Sequence, residues 1–268
     1  MALPDGSPNG INVTERPTLD EPVLVVMLQG WIDAAGAAGA AMAHIESLSP
    51  VRTIATFDPD LFIDYRARRP VVELRDGVST RLVWPTIELK VAKDSAGRDL
   101  LLLTGFEPDA NWRAFTGTVA ELGKELGVRM MVGLGAYPFA MPHTRASRLS
   151  CTTPSLELAE SVPYLRNSVD VPGGVAAVLE HAFHQRGIPA IGIWAQVPHY
   201  ISTMAYPGAT AALLYGLAST AGLTFDTGDL ERQAAVQSKR LDELVEANPE
   251  HVAMLRQLEV AYDAMVPG

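Results

Sequence analysis

Short apolar runs at residues 23–28, 100–103, 128–134 (broken only by Arg129) and 188–195 recur along this chain, with helix-forming stretches between them. A run of that length without polar alternation is the pattern of a strand buried on both faces. Turns as brief as Gly127 and Arg186-Gly187 lead from a helix into the next strand. Such helix-to-strand joints make crossover connections, and crossovers place strands parallel. The spacing therefore predicts an α/β fold: a three-layer domain with a mixed, largely parallel sheet.

The polar first residues, 1–21, rich in Pro, Gly and Asn, read as a flexible lead-in, with order beginning near Pro22. Residues 22–226 form the α/β domain. Its first strand ends at Gln29-Gly30, and Asp33 is the natural N-cap of a helix running to Leu48. A strand over 51–57 precedes a basic loop, 58–70. From 71 to 103 the breaks at Asp76-Gly77 and Ser95-Ala96-Gly97 predict antiparallel hairpins, which makes the sheet mixed. Helices are predicted over 111–126, 174–186 and 207–221, with a long proline-containing loop after Leu134. Residues 227–268 turn to charged helix formers and read as a C-terminal α-hairpin around Asn248-Pro249. Its apolar stripes, with Leu241, Leu244, Val245, Leu255, Leu258 and Tyr262, suit packing on the domain or contact with another chain.

A formal charge of -10 over 268 residues argues against nucleic-acid binding, which needs basic surface to displace phosphate counterions. The single cysteine, Cys151, excludes an intramolecular disulfide and a multi-cysteine metal cage. It reads as a packing residue in a reducing compartment. No apolar stretch approaches the roughly 18 residues that span a bilayer, and the N-terminus lacks a secretory pattern. A cytoplasmic protein with neither membrane nor nucleic-acid partners is expected.

The sharpest functional clue is a pair of proline-histidine dipeptides just beyond apolar runs. These are Met141-Pro142-His143-Thr144-Arg145 and Val197-Pro198-His199-Tyr200. Open α/β sheets place ligands at strand C-terminal ends, so both imidazoles are delivered toward such a site. Each equally suits a structural role beside a rigid turn. Gly30-Trp31-Ile32-Asp33 resembles a strand-to-helix anion loop, yet it lacks phosphate-loop spacing, and an N-cap aspartate repels phosphate. Asp64-Tyr65-Arg66-Ala67-Arg68-Arg69 offers guanidinium forks for a carboxylate or phosphate, or for the protein's own acids. Glu107 and Asp109 precede a helix. They suit divided acid and base roles, or capping by Asp109 with an ion pair for Glu107. His181 and His184 stand at helical spacing without a third metal ligand, so no metal is expected. No nucleophile elbow or cofactor fingerprint is present. The candidate pocket is Trp31, Asp33, Tyr65, Arg66, Arg69, Glu107, Asp109, His143, Arg145, His199 and Tyr200.

Taken together, Gly30-Trp31-Ile32-Asp33-Ala34, Asp64-Tyr65-Arg66, Arg69-Pro70, Glu107-Pro108-Asp109 with Trp112, both proline-histidine segments and Tyr206-Pro207 resemble the PAC2 family, the proteasome assembly chaperone 2-like proteins. The likeness is to the bacterial branch and runs from about Gly30 to Pro207. It implies a phosphorylase/hydrolase-like α/β fold, a homo-oligomer such as a trimer, a possible protein partner and no settled catalytic activity; from the residues themselves, no cofactor is expected. Proteasome docking through a C-terminal hydrophobic-Tyr-any tripeptide is not expected, because the chain reads Met265-Val266-Pro267-Gly268 there. Two functions follow: a homo-oligomeric assembly protein, or a small-molecule enzyme or sensor resembling nucleoside phosphorylases with its pocket at the strand ends.

Overall fold

Strand β2 (Val23–Gln29) is buried on both sides because alternate residues enter different cores. Val23, Val25 and Met27 pack in one cluster, whereas Leu24 and Val26 pack in the other. This is the computed structural model of the chain, and it describes residues 10–264. Around β2 lie α1 (Ala37–Leu48), β3 (Arg52–Phe57), α2 (Pro59–Phe62), β4 (Val71–Arg75), β5 (Val78–Val83), β6 (Ile87–Lys93) and β7 (Asp99–Phe106). Next come α3 (Trp112–Glu125), β8 (Met130–Phe139), β9 (Leu149–Thr152), α4 (Leu156–Ser161), α5 (Val175–His184) and β10 (Ala190–Pro198). The chain closes with α6 (Pro207–Ala221), α7 (Gly228–Glu246) and α8 (Pro249–Ala264).

With β1 (Ile11–Val13) at one edge, the eight-stranded sheet has the order β1-β3-β6-β7-β2-β8-β10-β9. Strands β7, β2, β8 and β10 are parallel, and antiparallel strands flank them on both sides. Helices α1 and α6 cover one face and α3 and α5 the other, so the three layers and mixed sheet stand as expected. The family of expected hairpins divides. Strands β6 and β7 join the main sheet, while β4 and β5 form a separate two-stranded ribbon. Asp76 and Gly77, at φ 49 and 81, supply its tight turn.

Three expectations are corrected. Order begins before Pro22, because Ile11, Asn12 and Val13 pair antiparallel with Phe57, Thr56 and Ala55. Residues 1–9 of the expected lead-in lie outside the described residues, as do Met265 to Gly268. The loop placed after Leu134 is strand as far as Phe139. Strand β2 pairs with β8 only as far as Gly133, so Pro138 sits where β8 keeps β10 as its partner and its missing N–H is tolerated. Within the rest of that segment, β9 and α4 are too short for periodicity to reveal, and α2 interrupts the basic loop with Asp58 as its cap.

The C-terminal helices pack on the domain through Leu241 and Tyr262, both buried, while Leu244 remains exposed. No helix among the described residues is long and apolar enough to cross a membrane.

Candidate functional site

Seven of the eleven expected pocket residues, Trp31, Glu107, Asp109, His143, Arg145, His199 and Tyr200, fall in two clusters at the strand C-terminal ends. The first forms where β2 and β7 finish side by side. Glu107 is fixed by its backbone N–H donating to the Gln29 carbonyl at 2.7 Å, and its carboxylate turns inward, 7 % exposed. There Oε1 accepts the N–H of Val175 at 2.6 Å, in the first turn of α5. A carboxylate suits that position because the helix end presents unpaired N–H groups and positive potential. Glu107 thus fills the α5 N-terminus, where an external anion would otherwise find an unpaired N–H. Trp31 lies against Gly174 so closely that any Cβ there would press on the indole ring.

Of the three clustered arginines, Arg68 is the one that turns inward. Its Nη2 lies 3.3 Å from Asp109 Oδ1, and its guanidinium stands 5.7 Å from the centroid of the Phe106 ring. Gly30, at φ 128, makes room for it, since a Cβ there would strike the guanidinium. Its Nε is buried and has no hydrogen-bond partner among the described residues. Arg66 and Arg69 are exposed. Tyr65 joins neither cluster: its hydroxyl donates to Asp60 at 2.6 Å and its ring meets Trp84 edge-on, with burial first and Asp60 second pushing its pKa up. The roles expected of the two acids are exchanged. Glu107 caps a helix and Asp109 makes the ion pair, because Asp109 also accepts the Asp64 N–H at 2.9 Å and is thereby turned toward the arginine loop.

Asp33 does cap α1, from further away than an ordinary N-cap. A 3-10 turn over Ala34–Gly36 intervenes, so its two carboxylate oxygens take the N–H groups of Ala38 and Gly39 at 2.8 and 3.0 Å. Burial pushes its pKa up, against those two hydrogen bonds.

The second cluster assembles the proline-histidine segments. The Tyr200 oxygen accepts the His143 backbone N–H at 2.8 Å and lies 2.7 Å from the same residue's Nδ1. With a neutral ring, Tyr200 donates to Nδ1, leaving Nε2–H to donate to Asp242 of α7 at 3.2 Å. The His143 side chain is fully buried, and burial pushes the Tyr200 hydroxyl up to about 12. His199 is exposed and meets the other side of the same tyrosine, so the two histidine rings flank Tyr200 at centroid distances of 5.9 and 5.4 Å.

Beyond His143 the chain is clasped by α8. Arg145 grips Asp263 with two nitrogens, each at 2.9 Å, and reaches Glu259 at 3.2 Å. Arg148 stacks 3.6 Å from the Tyr262 ring centroid and donates to the Tyr262 carbonyl, while the Tyr262 hydroxyl donates to the Ala146 carbonyl. The polar atoms of His143 and Arg145 are therefore engaged in holding α7 and α8 on the strand ends. A tyrosine of such high pKa is a poor acid or base near neutrality, and no nucleophile adjoins it among the described residues.

Sequence reasoning counted Arg68 among the guanidinium forks but left it out of the pocket, and it missed Arg148, Asp242, Glu259, Asp263 and the buried Glu180. The last accepts a hydrogen bond from Thr152 at 2.9 Å beneath α5, and burial pushes its pKa up to about 8. Acids spaced along a charged helix look alike in sequence, and docking geometry selects which ones are used.

The PAC2 family's sequence model matches residues 27–245. A comparison with curated proteins gave no match. Among solved structures, a protein of unknown function from Corynebacterium glutamicum is 32% identical with a TM-score of 0.88, over 96% of this chain and 98% of that one. A Mycobacterium tuberculosis protein of unknown function is 34% identical with a TM-score of 0.86, over 98% and 94%. A second M. tuberculosis protein, described as a proteasome-assembly chaperone homologue, is 32% identical with a TM-score of 0.80, over 88% and 99%.

Proposed function

The chain belongs to the PAC2 family, and on that footing we propose that it is a homo-oligomeric assembly protein that acts by binding other polypeptides in a chaperone-like way. One observation carries this reading. The β4–β5 ribbon stands outside the main sheet, every residue of β5 is exposed, and Val71, Val72, Leu74, Val78 and Leu82 point apolar side chains into solvent from both of its strands. A lone two-stranded ribbon is marginal in water, and apolar surface gathered at one projection marks an interaction site. Its occupant is a second copy of this chain, which also gives the free strand edges a partner. A three-membered ring is the assembly we favour. The description of one relative as a proteasome-assembly chaperone homologue supports the same class of role.

Size-exclusion chromatography with light scattering tests this. The protein is expected to run as a trimer at micromolar concentration, and the Val72→Glu/Val78→Glu variant as a folded monomer. A monomeric wild type would overturn the proposal.

The second reading, a small-molecule enzyme or sensor at the strand ends, draws on Trp31, Arg68, Glu107 and Asp109 meeting at one corner. It has weaker support, because Glu107 is engaged by α5 and Asp109 by Arg68. A nucleoside or phosphate that raised the melting temperature would favour it.

A further inference from the structure

Residues 166–173 run as extended chain between two anchors. At the start, beside β9, the Leu165 N–H donates to the Leu149 carbonyl at 2.9 Å, and the Leu165 carbonyl accepts the Cys151 N–H at 3.1 Å. At the end, Gly174 opens α5 and lies against Trp31. Between these anchors all eight residues are exposed, and their backbone makes no hydrogen bond among the described residues. Val169, Asp170 and Val171 alternate apolar, acidic and apolar, the pattern of a strand with one covered face. In the single chain both valines nevertheless face water. An extended segment with unpaired N–H and C=O groups and that alternation is a strand without a sheet.

The β4–β5 ribbon is a sheet short of a strand, since three strands with an apolar face are the fewest that stand alone. Its two outer edges differ. Opposite Glu73 and Leu74 the pairing skips from Arg81 to Ser79, so β5 carries a bulge at Thr80, whereas β4 is continuous over five residues, Val71–Arg75. A bulge blunts an edge, which leaves β4 as the one that can receive a strand. Side chains alternate along it, with Val72 and Leu74 on one side and Glu73 and Arg75 on the other. Glu73 already faces Arg81 across the ribbon. Arg75 has no carboxylate partner among the described residues, and its guanidinium turns back on the Leu74 carbonyl. The segment and the edge are therefore complementary: valines for the apolar side, an exposed aspartate for the unpaired arginine.

We propose that residues 167–171 of a second copy add to the free edge of β4 as the ribbon's third strand, with Asp170 across from Arg75 and the two valines on the side of Val72 and Leu74. This rests on the self-association proposed above and names the surface that meets the ribbon. Main-chain pairing supplies the attraction, and the alternating side chains fix the register. In that register Ser168 or Pro172, according to strand direction, faces Glu73, so no two carboxylates meet. Strand and ribbon are different parts of the chain, so the contact runs head to tail. Each copy gives one strand and receives one, and a closed ring leaves no edge over.

The test is light scattering of the full chain. Val169→Glu/Val171→Glu leaves the ribbon untouched and is expected to run as a folded monomer at the concentration where the wild type is a trimer. Asp170→Arg and Arg75→Glu should each weaken the trimer, and the two together should restore it. Cross-linking gives a second measurement that needs no loss of assembly. In a Cys151→Ala background, Leu74→Cys is combined with Val169→Cys or with Val171→Cys and oxidised. Copies are expected to link through the first pair if the added strand is parallel to β4 and through the second if it is antiparallel. A monomeric wild type would overturn this proposal together with the self-association. A trimeric wild type would leave the self-association standing and overturn the strand addition alone in any of three cases: the valine variant stays trimeric, the charge reversals do not rescue each other, or neither cysteine pair links. Linking by Leu74→Cys on its own would mean ribbon against ribbon and would overturn it too.

Discussion

The imidazole of His143 and the carboxylate of Asp242, 99 residues apart in the chain, meet at 3.2 Å and fasten α7 to the loop beyond β8. The imidazole is wholly buried and the carboxylate half-exposed, so the energetic weight falls on the histidine. Asp242→Ala strands a buried N–H and should cost about 1–3 kcal/mol. Thermal melting measures the loss, and faster amide exchange along α7 should accompany it. Tyr200→Phe removes the hydroxyl on the other side of the ring. Its effect combined with Asp242→Ala should be less than additive, because both act through one side chain.

Arg148 and Tyr262 make a second fastening, to α8. Lysine in place of Arg148 keeps the charge but loses the flat stack on the ring and its fixed fork. Arg148→Lys should lower stability by about 1 kcal/mol and speed proteolysis within α8. Tyr262→Phe keeps the stack and loses the hydrogen bond to Ala146. It should cost about 0.5–1.5 kcal/mol in thermal melts.

Glu180 gives stability a direction with pH. Burial raises its pKa from 4.5 to about 8 in the folded chain, so between those values the folded state keeps a proton that the unfolded state releases. Its contribution is fully present below pH 4.5 and falls as pH rises to about 8, where it levels off. The slope is at most about 1.4 kcal/mol per pH unit. Glu180→Gln should remove that slope and raise the melting temperature at pH 8. Equal pH dependence of the two proteins in melting experiments would refute this assignment.

Gly105 sits at φ 115, where β7 passes β6, and a Cβ there would collide with the Thr86 carbonyl. Gly105→Ala combines a left-handed backbone with a backbone clash and should cost at least about 2 kcal/mol. It also displaces Glu107, two residues on. The α5 N-terminus should therefore show weakened protection in hydrogen exchange.

The helix over residues 207–221 was legible to the residue, because Pro207 opens it and Gly222, at φ 62, closes it. The parallel core was legible for a similar reason: burial on both faces leaves no alternation in strands such as β2. What escaped depends on distance rather than pattern. Nothing local distinguishes Arg68 from Arg66 and Arg69. Turn bonds from the Ala67 and Arg68 N–H groups to the Asp64 carbonyl set which of the three faces inward. Of the candidate residues, Trp31, Glu107 and Asp109 meet in one cluster and His143, His199 and Tyr200 in another, because Glu107 and His143 are claimed by different helices, α5 and α7.

The clasp on residues 143–148 has a consequence for how the chain is made. Arg145 and Arg148 leave the ribosome 118 and 114 residues ahead of Asp263 and Tyr262. At about 5–20 residues per second, that is a wait on the order of ten seconds. During it the sheet can assemble while the loop beyond β8 stays open, and docking of α7 and α8 onto that loop follows as a separate, later event.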